Sequence, residues 1–156
     1  MKYFKPSFFV LLLLALFSCQ DTVTVVDTNI ELKKRNWSYA EKIKVPVKIE
    51  SADIPYNLYF NLRHTADYKY SNIFVLIHVT DPNGKKTTER KEFKLALADG
   101  EWLGKGSGNK YSLQLQFKSS YKFPKNGTYL FELEQNMRDN PLNNISDAGI
   151  RVEKAQ

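Results

Sequence analysis

The segment "NIFVLIHVTDPNGK", residues 72–85, decides the fold class. An almost wholly apolar run, Ile73 to Val79, leads straight into Asp81-Pro82-Asn83-Gly84. A short apolar run closed by such a turn reads as a buried strand. Proline presets φ for the turn and glycine accepts φ > 0. The run predicts a central strand covered on both sides, with His78 a satisfied core polar group rather than a ligand.

Period-two alternation surrounds this segment. Ile43, Val45, Val47 and Ile49 alternate with Lys44 and Lys48, and Leu58, Phe60 and Leu62 with Asn57, Asn61 and Arg63. Leu113, Leu115 and Phe117 alternate with Gln114 and Gln116, and Tyr129, Phe131 and Leu133 repeat the pattern. Such spacing marks strands with one face on a core. Ile150 and Val152 suggest a short last strand, and Phe93 to Ala98 is the best place for a short helix. Pro124-Lys125-Asn126-Gly127 is a second turn, and the glycines at 104, 106 and 108 read as a flexible connection without P-loop spacing. About seven to nine strands with turns between them predict an all-β fold, a β-sandwich of jelly-roll type.

Ahead of this domain, Phe8 to Phe17 is apolar throughout and follows Lys2 and Lys5. A membrane-spanning helix needs roughly 20 apolar residues. This run instead matches the apolar centre of an export signal behind a basic start. It ends at Leu16-Phe17-Ser18-Cys19, the pattern of a bacterial lipobox, although Phe17 is bulkier than usual. Cys19 is the sole cysteine, so no disulfide can form within the chain. Acylation explains the lone thiol, and more than one acyl chain gives stable anchoring. The expected organisation is a signal peptide at 1–18, a lipidated Cys19 with a tether at 19–30, and one β-sandwich domain at 31–156. Residues 20 to about 30 read as tether or edge strand. Gln20 in place of aspartate favours the outer membrane. The single nearby acid, Asp21, favours its periplasmic leaflet over the cell surface.

Removing residues 1–18 takes away two lysines and no acid, lowering the formal net charge from +6 to +4. Scattered lysines of this kind do not form the concentrated basic stripe of a nucleic-acid binder. The catalytic inventory is thin. His64 and His78 fall on different predicted strands, and no zinc or serine-nucleophile motif is present. Asp67, Asp99, Glu101 and Glu132 are eligible carboxylates for glycoside hydrolysis, as acids in nearly any sandwich are. The reading is a non-enzyme, with no cofactor and no metal.

Aromatic residues are the richer feature. Trp37, Tyr56, Tyr59, Tyr68, Tyr70, Trp102 and Tyr121 fall mostly at predicted strand ends or loops. Such rings serve protein interfaces, stack on sugars, or pack at the edge of a core. Two segments carry polar side chains that the core does not need. Arg63, Tyr68 and Tyr70 lie after one strand end, and Gln135, Asn136 and Arg138 after another. Loops on a rigid sheet are the usual seat of recognition, so Arg63, Tyr68, Tyr70, Gln135 and Arg138 are partner-binding candidates. The competing reading has Arg63 and Arg138 bonding loop carbonyls and holding the turns in shape.

Four features carry a resemblance: "YNLYFNLRHTADYKYSNIFVLIHVTDPNGK" (56–85), "LADGEWLGKGSG" (97–108), "FPKNGTYLFELEQNMRDNPLNNISDAGIRVEK" (123–154), and Trp37 after the tether. With the lipobox, they resemble the gliding-motility lipoprotein GldH family of Bacteroidetes across essentially the whole chain. The resemblance implies a cell-envelope lipoprotein of the gliding machinery, linked to type IX secretion; the first reading is that it docks on other envelope proteins of that apparatus. It supplies no catalytic residues, and it does not imply that the source glides. The alternative is a lipid-anchored carbohydrate-binding module for glycan capture.

Overall fold

The computed structural model describes residues 23–155. The expected signal peptide, Cys19 and the first part of the tether lie outside these residues. Eleven strands follow in chain order among the described residues: β1 (Thr24–Glu31), β2 (Asn36–Trp37), β3 (Ile43–Ile49), β4 (Tyr56–Thr65), β5 (Asn72–Thr80) and β6 (Lys86–Lys94), then β7 (Lys105–Ser107), β8 (Lys110–Tyr121), β9 (Gly127–Gln135), β10 (Leu142–Asn143) and β11 (Ile145–Lys154). They form a five-stranded sheet in the order β1-β11-β4-β8-β7, a four-stranded sheet in the order β3-β9-β5-β6, and the small pair β10-β2. Every pairing is antiparallel, so the chain is all-β.

Alternation places the core. In β3 the pattern is strict, with Ile43, Val45, Val47 and Ile49 buried and the residues between them exposed. Pro46 within it has no N–H to donate, which suits a strand at the sheet edge. The other edge of that sheet, β6, carries Lys86, Glu89, Arg90, Lys91, Glu92 and Lys94. Charges on an exposed edge deter pairing with other chains. Rings from the two large sheets meet directly: Phe60 of β4 lies 5.1 Å from Phe93 of β6, with Trp37 at 6.4 Å.

Several sequence expectations need correction. β5 is an inner strand, but only Ile73, Val75 and Ile77 are fully in the core. Phe74 and Leu76 face outward half-buried, covered by long side chains such as Arg90, whose guanidinium sits 3.9 Å over the Phe74 ring. No helix forms at 93–98: Phe93 and Lys94 end β6, and Ala96 bridges to Trp102. A single 3-10 turn, Lys33–Arg35, is the helical structure among the described residues. Part of the glycine-rich connection is ordered as β7 against β8. Residues 24–30, read as tether or edge strand, are paired in edge strand β1.

The last strand departs furthest from expectation. β11 is ten residues long and sits between β1 and β4, with Ile145 to Ile150 all buried. Its middle is Ala148-Gly149, too small to announce itself by hydrophobic pattern. Gly149 pairs with Asn29 on one side and Asn61 on the other. A Cβ there would lie 1.7 Å from the Thr28 carbonyl oxygen. The β1 backbone therefore occupies the space of any side chain. Gly149→Ala should destabilise the fold by about 2–3 kcal/mol, as overpacking of a close contact does. Chemical denaturation would check this, and an unchanged midpoint would contradict the close approach.

Candidate functional site

At one end of the sheets, the β4–β5 connection (66–71) meets the β9–β10 connection (136–141). Tyr70 Oη donates to Asp139 Oδ2 at 2.7 Å, and Lys69 Nζ reaches the same oxygen at 3.4 Å. The Tyr70 hydrogen bond, with Lys69 beside it, holds the Asp139 carboxyl below its ordinary range. Tyr39 closes the third side, its hydroxyl donating to the Met137 carbonyl at 2.9 Å while its N–H donates to Asn140 Oδ1 at 3.1 Å. Below this tip, Met137 Sδ accepts from the Phe74 N–H, and the Asn136 N–H donates to the Phe74 carbonyl.

The five candidate residues separate on this scaffold. Tyr70 and Arg138 belong to the tip, half-buried and exposed respectively. The Arg138 guanidinium has no hydrogen-bond or ion-pair partner among the described residues. Tyr68 is buried, its hydroxyl spent on the Asn72 carbonyl. Gln135, the last residue of β9, is fully buried; its amide donates to the Asp139 carbonyl and accepts from the Met137 N–H. Tyr68 and Gln135 therefore hold the loops in shape and offer no side chain to a partner. Arg63 lies inside β4 rather than after it, and bonds a carboxylate rather than a loop carbonyl. Its Nε donates to Asp147 Oδ2 at 2.5 Å. Tyr39 and Asp139 were missed, because nothing local in the sequence pairs residue 39 with residue 137.

Most of the aromatic residues are core. Trp37 and Tyr56 are fully buried, and Tyr59 within β4 donates to Glu153. Beneath the tip, His64 packs among Trp102, Tyr68 and Tyr111, with ring centroids 4.5–5.7 Å away. Burial pushes its pKa down, so it stays neutral at pH 7. Its Nδ1 donates to the Thr65 carbonyl at 2.9 Å, leaving Nε2 as an acceptor without a partner.

On the outer face of the four-stranded sheet, His78 is buried and satisfied. It contacts Thr88 Oγ1 at 2.8 Å and Glu134 Oε2 at 3.2 Å. Lys42 holds Glu134 at 2.8 Å, and Lys86 and Lys44 hold Glu132 at 2.5 and 3.7 Å. Hydrogen bonding from Lys86 lowers the pKa of Glu132, and hydrogen bonding from Lys42 that of Glu134. A glycosidase acid needs the opposite shift. Asp67, Asp99 and Glu101 are exposed loop residues. Among the described residues, no group of acids, histidines or cysteines could hold a metal ion.

The domain is all-β, and its Glu132, Glu134 and Asp147 carboxylates are each paired with a cation. The family described as GldH lipoprotein matches residues 24–152, and the chain belongs to it. Two relatives agree. The chain is 36% identical over 107 residues to the gliding motility lipoprotein GldH homolog of Christiangramia forsetii, covering 64% of this chain and 66% of that one, just under two thirds. It is 27% identical over 146 residues to the gliding motility lipoprotein GldH of Flavobacterium johnsoniae, covering 89% of each. No solved structure matches. Membership of a lipoprotein family makes this a lipid-anchored protein of the cell envelope.

Because the folded pKa values of Glu132 and Glu134 lie below the ordinary 4.5, their lysine contacts stabilise fully above that pH. The contribution is lost as pH falls through the folded values. A Glu132→Gln, Glu134→Gln variant should be about 1 kcal/mol less stable than the parent at pH 7, the gap closing towards pH 3. Denaturation at both pH values would measure it; a gap independent of pH would refute the pairing.

Proposed function

We propose that the chain is a non-catalytic component of the gliding-motility apparatus, linked to type IX secretion, that acts by docking its loop tip on envelope proteins. The observation that carries this reading is the tip itself, where the Tyr70–Asp139 bond unites two loops beside the unpartnered Arg138. Arginine and tyrosine are the residue types most often decisive at interfaces.

The proposed anchor gives the tip a direction. Cys19 precedes Thr24 by five residues, a reach of at most about 17 Å. β1 then runs antiparallel to β11, from Thr24 beside Glu153 to Glu31 beside Asp147. Arg63, also opposite Asp147, is close to the end of β4 that leads into the tip. The tip therefore stands about one strand length, roughly 25 Å, from the point where the anchored chain enters. A docking surface on the far side from the membrane is open to partners. Gln20 and the scarcity of following acids support the periplasmic leaflet of the outer membrane.

The strand orders also support a jelly-roll sandwich. Setting aside short β7, the two four-strand layers β1-β11-β4-β8 and β3-β9-β5-β6 interleave as jelly-roll layers do. The domain so proposed begins at β1, with the signal peptide, Cys19 and a short tether before it.

Crosslinking in intact cells tests the reading. Cys19→Ala should lose fatty-acid labelling. Tyr70→Phe with Arg138→Ala should keep lipid and thermal stability while weakening partner capture by about 2 kcal/mol or more. A labelled Cys19→Ala variant would overturn the anchor. Undiminished crosslinks and motility or secretion in the tip variant would overturn the docking surface.

A further inference from the structure

The outer face of the five-stranded sheet carries a cleft of about 540 Å³, within the size range of ligand sites. Its polar lining crosses the whole sheet: Asn29 on β1, Asn61 and Arg63 on β4, Ser112 and Gln114 on β8, and Lys105 on β7. Asn61 is 3% exposed. Its amide donates to Asp27 Oδ1 at 2.7 Å, but its own Oδ1 has no partner. That oxygen is almost wholly covered, so Asn61 contributes to the cleft without offering this atom to a ligand. Arg63 is fixed by Asp147 through Nε, while its terminal nitrogens have no hydrogen-bond partner among the described residues. Lys105 is exposed and makes no ion pair among them.

These groups define what fits. The ligand must exchange hydrogen bonds with the exposed Gln114 amide and Ser112 hydroxyl, and bring negative charge to Arg63 and Lys105. A sugar hydroxyl both donates and accepts, and a carboxylate matches a guanidinium fork. No aromatic ring and no carboxylate is among the lining residues. Without a ring there is no stacking surface to hold a neutral sugar, so charge has to contribute. An extended peptide binds most readily by joining a sheet edge, whereas Asn61 and Arg63 stand on an inner strand. We propose that this cleft binds an acidic glycan, a polysaccharide segment carrying uronic-acid carboxylates. The proposal concerns a different surface from the tip and does not rest on the docking reading.

Calorimetry on the full lipidated protein in detergent tests it, with oligogalacturonate as the probe. A neutral galacto-oligosaccharide and a polyglutamate peptide serve as comparisons. Lys105→Glu with Gln114→Ala changes two exposed side chains and leaves the Arg63–Asp147 pair in place. Oligogalacturonate should bind best, and this variant should weaken it about tenfold or more at unchanged thermal stability. Absence of oligogalacturonate binding, equal binding by the variant, or equally tight polyglutamate binding would each overturn the assignment.

Discussion

The close passage of β1 over Gly149 is the contact on which the rest of the structure depends. It lets β11 lie between β1 and β4 and bury six consecutive residues, Ile145 to Ile150. Because β1 is the first described strand and β11 the last, their pairing joins the two ends of the fold. It also sets the polar edge of the outer face. Asp27 on β1 takes hydrogen bonds or ion pairs from Arg151 and Asn61, both at 2.7 Å. A side chain at 149 would disturb all of these together.

The two outer faces use charge differently. On the four-stranded sheet, Glu132 and Glu134 are matched by Lys42, Lys44 and Lys86, so the face is closed upon itself. On the five-stranded sheet the matching is incomplete. Asp147 is satisfied at one oxygen by Arg63 and not at the other, and Asn61 keeps a free acceptor. Unmatched polar atoms in a packed protein need a reason, whether bound water or a ligand. Among the described residues, His64 Nε2, Thr65 Oγ1 and Ser146 Oγ are likewise buried without partners.

The strand content was legible in the sequence wherever one face is apolar. β3, β4, β8 and β9 announce themselves by alternation, and Asp81 to Lys85 by turn chemistry. That turn closes as expected, with Asp81 Oδ1 accepting from the N–H groups of Asn83 and Lys85 and Gly84 at φ +84°. β11 was underestimated because alanine and glycine carry no hydrophobic signal, although burial and close approach call for them. β6 has almost no apolar alternation, since an edge strand is held by one neighbour and covered with charge. At the tip, the sequence named residues from the two connections that the Tyr70–Asp139 bond joins. It could not tell which residues brace them and which face outward. Tyr68 and Tyr70 look alike in the chain, yet only burial against His64 and Trp102 separates one from the other.

On the proposed anchoring at Cys19, the all-β domain is held close to one end and presents Tyr70 and Arg138 at the other. Cys19 is the sole cysteine, and acylation would consume its thiol, so a single introduced cysteine can be labelled selectively. Asp53 is exposed in the β3–β4 connection, next to the Tyr56 end of β4 that lies by Thr24 of β1. A spin label at Asp53→Cys and another at Arg138→Cys, each in lipidated protein on vesicles, would report their depths relative to the headgroups. The account predicts the label at 53 near the membrane surface and the label at 138 farther out by about 25 Å, one strand length. Equal depths, or the label at 138 lying nearer the bilayer, would contradict it.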